Sequence, residues 1–167
     1  MKTIGSHPGA ILFRLSIMVI LIAIFVVVFF HYVGRVQAEA ERAAILRTKG
    51  LIDSSLAVVF ATYATQSRIN DLNDLHAANP FEFLADYQML PGTYKGAIDH
   101  SLKDSLEPGW YFLDHLGQVA YKPRYLDEDY RFEVKLKYVD KNESGLFESE
   151  ADSFQGVYFE PVVRDER

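Results

Sequence analysis

The chain has no cysteine in 167 residues, which excludes disulfides, thiolate metal sites and cysteine nucleophiles. That absence does not assign a compartment, because many exported proteins lack disulfides. No proline occurs between Pro8 and Pro80, so nothing in that stretch obliges a helix to break; Gly34 and Gly50 are only weak points. Charge is missing altogether from Leu15 to Phe30, where Ser16 is the one polar side chain. Basic charge is scarce further on: residues 51 to 167 carry eleven Lys and Arg against twenty-one Asp and Glu, whereas residues 1 to 50 carry six against two. So acidic a C-terminal region has little with which to neutralise phosphates, which argues against nucleic acid as a partner. The five histidines, His7, His31, His76, His100 and His115, show no metal-ligand spacing, and neither a Walker loop nor a nucleophile elbow occurs. No catalytic, cofactor-binding or metal-binding residue is therefore assigned, no cofactor is called for, no small-molecule substrate is evident, and the chain reads as a non-enzyme.

What the chain does have is dominated by one tract, LSIMVILIAIFVVVFF from Leu15 to Phe30, with Ile11 to Phe13 before it and Tyr32 and Val33 after it. It reaches the roughly twenty apolar residues that cross a hydrocarbon core of about 30 Å. Lipid offers no partner to backbone N–H and C=O groups, so such a span is helical. Arg14 can lift its guanidinium to the headgroups while its methylenes stay in lipid, and His31 and Tyr32 mark the other interface. The reading is a short cytoplasmic tail at 1–14 and a single transmembrane helix at 15–33, with the lipid bilayer as partner. Charge alone orients the span the other way. Lys2 and Arg14 precede it and Arg35, Arg42, Arg47 and Lys49 follow it, which favours a cytoplasmic C-terminus. That count carries little weight, because the four lie beside Glu39 and Glu41 and long domains translocate largely regardless of charge. Lys2, Arg14, the apolar core and Val36-Gln37-Ala38 also form a passable secretory signal, which leaves cleavage after Ala38 open, although the core exceeds the usual ~7–15 residues.

Beyond the span, Val33, Val36, Ala40, Ala44, Ile45, Ile52, Leu56, Val59 and Tyr63 recur at the helical period. Glu39, Glu41, Arg42, Arg47, Lys49 and Asp53 fall between them, giving one apolar stripe and one solvated face. An amphipathic helix is expected over 34–69, followed by a soluble α+β domain over 70–167 packed on it. Asn79-Pro80-Phe81-Glu82 reads as a capped start of a short helix through Phe83 and Leu84. Pro91-Gly92 and Glu107-Pro108-Gly109 bracket a loop-rich stretch. Trp110 to Leu113 and Gln118 to Lys122, joined through Asp114-His115-Leu116-Gly117, read as a hairpin ended by Pro123. Tyr130 to Tyr138 alternates apolar with charged residues, a strand with one wet face. A last strand is expected near Val157 to Val163, with Pro161 at a sheet edge. The fold class is α+β, with three or four antiparallel strands whose apolar face the helix covers. Trp110, Tyr111, Phe112 and Tyr121 are read as sheet core rather than a ligand platform.

The hydrophobic helix running into an amphipathic one, Asn79-Pro80, Gly109-Trp110-Tyr111-Phe112, Gly117, Tyr121-Lys122-Pro123 and the alternating strand together resemble the pilin-like proteins of type IV pilus and type II secretion systems. Within that group the chain is similar to the accessory proteins of mannose-sensitive haemagglutinin (MSHA) pilus biogenesis. The resemblance implies a bitopic protein of the bacterial inner membrane with its C-terminal domain in the periplasm, working by contact with other pilus biogenesis proteins or pilins. It also implies where the chain departs from pilins. A prepilin leader ends in Gly and is followed by an apolar segment whose fifth residue is Glu. Here Gly9 precedes the tract, the first residue after it is Ala10, and the fifth is Arg14. A cation at that position would repel a neighbour's N-terminal amine where a carboxylate would pair with it, so an uncleaved accessory protein is expected rather than a minor pilin or pseudopilin built into the filament. A periplasmic ligand-binding domain on a membrane anchor is the other alternative. It is disfavoured because only about fourteen residues precede the span, too few for a cytoplasmic output domain.

One more motif stands apart. Asp140-Lys141-Asn142-Glu143-Ser144-Gly145, with Glu148, Glu150 and Asp152 behind it, begins like a calcium loop, but the twelfth position is Ala151 where a bidentate Glu belongs. The reading is an acidic solvated hairpin.

Overall fold

The computed structural model describes residues 8–99 and 105–162. Lys2, His7, His100 and Val163, all used above, lie outside the described residues. The chain divides into two units, Met1–Ala40 and Glu41–Arg167, and helix α1 (Pro8–Thr65) contributes to both.

In the first unit α1 already begins at Pro8, within the segment read as tail. Proline suits a helix start because its missing N–H would be unbonded there in any case. The helix is apolar around its whole circumference, and its most apolar stretch is not buried within the chain. It is long and apolar enough to cross a membrane. The one polar side chain of the tract is satisfied within the helix, Ser16 Oγ donating to the Phe13 carbonyl at 2.8 Å.

In the second unit the remainder of α1 supplies one wall of the core. Ile45, Ile52, Leu56 and Val59 are buried at the expected period, whereas Ala44 is exposed. The helix stops at Thr65 rather than at residue 69. Ser67 adopts φ 57°, the Arg68 N–H bonds to the Tyr63 carbonyl at 2.9 Å and the Ser67 N–H to that of Ala64 at 3.3 Å. This is the left-handed C-terminal motif usually carried by glycine, which is why no glycine announced the end. A 3-10 turn (Ile69–Leu75) follows, then α2 (Pro80–Asp86). The cap of α2 forms as expected: Asn79 Oδ1 accepts from the Phe81 N–H at 3.2 Å, and Asn79 Nδ2 donates to Glu82.

The sheet differs from the expected one. It has five strands, β1 (Tyr94–Ile98), β2 (Gly109–Leu113), β3 (Gln118–Lys122), β4 (Tyr130–Val139) and β5 (Ser153–Pro161), in the order β1-β2-β3-β4-β5. β1 runs parallel to β2 while the other pairs are antiparallel, so the sheet is mixed and not antiparallel throughout. β1 escaped the sequence because its register slips between Tyr94 and Ala97, and Gly96 sits at φ 108°. A strand of five residues with a bulge and a glycine shows no clean alternation. The hairpin of β2 and β3 forms as expected, β2 starting one residue earlier at Gly109, with Trp110 opposite Tyr121 and Phe112 opposite Val119. β2 is buried at every position, so the sheet is covered on both faces there. β5 forms one edge, with Pro161 at its end.

One aromatic-rich core joins these elements. Trp110 packs at a tilt against Tyr121 and Phe132, at centroid distances of 4.8 and 5.8 Å, and Phe132 lies 5.0 Å from Phe159. Phe81 of α2 packs on Tyr94 at 4.2 Å. Ile52, Leu56 and Val59 of α1 belong to the same cluster. Burying a side chain of that size stabilises by roughly 1.5–3 kcal/mol.

Candidate functional site

The residues that do more than fill space are the polar groups used to hold loops onto the helix and the sheet. Glu41, expected on the solvated face, is only 8 % exposed. Its Oε1 accepts from the Tyr121 hydroxyl at 2.9 Å and from the Arg124 N–H at 2.8 Å, and its Oε2 accepts from the Tyr125 N–H at 2.7 Å. The carboxylate therefore staples the turn after β3 to α1. The signal that could have found it is spacing: Glu41 lies one turn before Ile45, on the buried stripe. Burial, and after it the hydrogen bond and charge of Glu41, hold the Tyr121 hydroxyl well above its ordinary pKa. Asp53 is a second correction. It bonds Lys49 at 2.7 Å and also accepts from the Phe159 N–H of the edge strand β5 at 3.1 Å. A carboxylate on the helix thus occupies a donor that an edge strand would otherwise present to a partner.

The acidic loop between β4 and β5 is organised by its own backbone. Asp140 accepts from the N–H groups of Ser144 and Gly145, and Asp152 from those of Lys141 and Glu148. Asn142 accepts from the Ser144 N–H and donates to Glu148. Of the oxygens that a calcium reading needs, those of Asp140, Asn142 and Asp152 accept from the loop's own amides. The loop is not simply a solvated hairpin either. Phe147 is buried, and Asn73 bonds both its N–H and its carbonyl, at 2.9 and 2.8 Å, while Asn70 accepts from Ser149. Nothing in the local sequence distinguishes those two asparagines, which lie on the 3-10 turn.

No group of three or more His, Asp or Glu that could hold a metal ion occurs among the described residues. Trp110, Tyr111, Phe112 and Tyr121 are all buried and lie in the sheet, as expected. Burial raises the pKa of Tyr111 and Tyr94 as well. Arg131, read as part of the wet face of β4, is half-buried with Nε shielded and unbonded.

An open cleft of about 550 Å³ lies between α1 and the ends of β4 and β5. Buried Ile45 and Phe132 form its base, Pro161 and Val162 line it, and Leu46, 68 % exposed, stands on its rim. Arg42 and Lys49 of α1 and Glu128 and Asp129 of the turn before β4 give it charges of both signs. Such a surface can receive an apolar side chain.

Comparison of this chain with protein-family models, with curated proteins and with solved structures finds no match.

Proposed function

We propose that the chain is a bitopic inner-membrane accessory protein of type IV pilus biogenesis of the MSHA kind, similar to MSHA biogenesis protein F, acting by protein–protein contacts and not by catalysis. The observation that carries this reading is helix α1, 58 residues without a break, apolar all round in its first part and amphipathic in its second. That is an anchor covalently continuous with the core of a folded unit. The sequence resemblance to pilin-like proteins supplies the pilus context, and Arg14 in place of the assembly glutamate favours an accessory role over incorporation in the filament. The C-terminal unit is assigned to the periplasm by the same resemblance.

The absence of cysteine makes the topology directly testable. A single cysteine introduced at exposed Val139 should react in intact cells with a maleimide that cannot cross the inner membrane; protection until lysis refutes the periplasmic assignment. Intact mass tests processing. A chain beginning at Met1 fits the accessory reading, one beginning at Ala10 supports the minor-pilin alternative, and one beginning at Glu39 means a secreted domain. Cross-linking in native membranes followed by co-purification should recover pilus assembly components. Recovery of none of them, with the protein intact and membrane-bound, removes the proposed partnership.

A further inference from the structure

We draw no further inference here: the strongest candidate, the open apolar cleft between α1 and the ends of β4 and β5 with Leu46 exposed on its rim, carries nothing because nothing in the structure shows what covers it.

Discussion

Replacing Glu41 tests whether one buried carboxylate holds the turn after β3 onto α1. In Glu41→Ala three donors lose their acceptor: the Tyr121 hydroxyl and the N–H groups of Arg124 and Tyr125. A hydrogen bond to a charged group contributes about 1.5–3 kcal/mol. Arg124 and Tyr125 are exposed residues, so their amides can turn to water and recover part of the loss. The Tyr121 hydroxyl sits on a side chain 8 % exposed and recovers little. The expected cost is about 3–4 kcal/mol, a large part of the ~5–15 kcal/mol that stabilises a typical domain. At a urea dependence of about 1–3 kcal/mol per molar, the midpoint falls by roughly 1–4 M. Trp110, the one tryptophan in the chain, lies 4.8 Å from Tyr121 and reports the transition by fluorescence in the full chain in detergent micelles. Tyr121→Phe leaves Glu41 its two backbone donors and should cost only about 1–2 kcal/mol. The double variant should then show a coupling of about 1–2 kcal/mol between the two sites. A coupling near zero, or an Ala variant within about 0.5 kcal/mol of the parent, would show that the carboxylate is not a staple.

Four further outcomes follow from the same structure. Leu56→Ala removes a fully buried side chain of the stripe and should cost about 2–5 kcal/mol by the same urea assay, with Val59→Ala somewhat less; unchanged midpoints in both would remove the packing of helix on sheet. Tyr121 keeps its proton in the folded state above the pH, near 10, at which the unfolded chain loses it, so unfolding releases a proton in that window and stability should fall as pH rises past about 10. Tyr121→Phe should flatten that fall, leaving the smaller contributions of Tyr94 and Tyr111, whose pKa values are also raised; an equally steep alkaline loss in the variant contradicts the assignment. Gly117→Ala places a Cβ 2.5 Å from that of Ala77 at φ 61° and should lower the stability by about 1–3 kcal/mol, whereas Gly92→Ala, which meets nothing within 4 Å, should not. Because Asp140 and Asp152 already accept four backbone N–H groups, millimolar calcium should leave the melting temperature where chelator leaves it; a calcium-dependent rise lost in Asp140→Ala would restore the calcium reading.

The apolar tract, the amphipathic period, the cap at Asn79 and the hairpin from Trp110 to Lys122 were legible in the amino-acid sequence. Each is a property of neighbours: hydropathy over one window, the spacing of Ile45, Ile52, Leu56 and Val59, a capping side chain beside its helix, two short runs around one turn. α1 ended where Ser67 took a conformation that many sequences could have avoided, so its limit was only approximate. Tertiary structure alone decided the rest. Glu41 and Asp53 look like any surface carboxylates until donors from residues 80 to 106 positions away arrive beside them. The parallel partner of β2 became visible only through pairing, because β1 lacks alternation of its own. The oxygens of the Asp140 loop could have met a metal or their own amides, and which of these occurs depends on backbone geometry that spacing does not specify. Period and turn chemistry are written residue by residue along the chain. The burial of a charge is settled only when distant segments fold against it and either satisfy it or leave it to water.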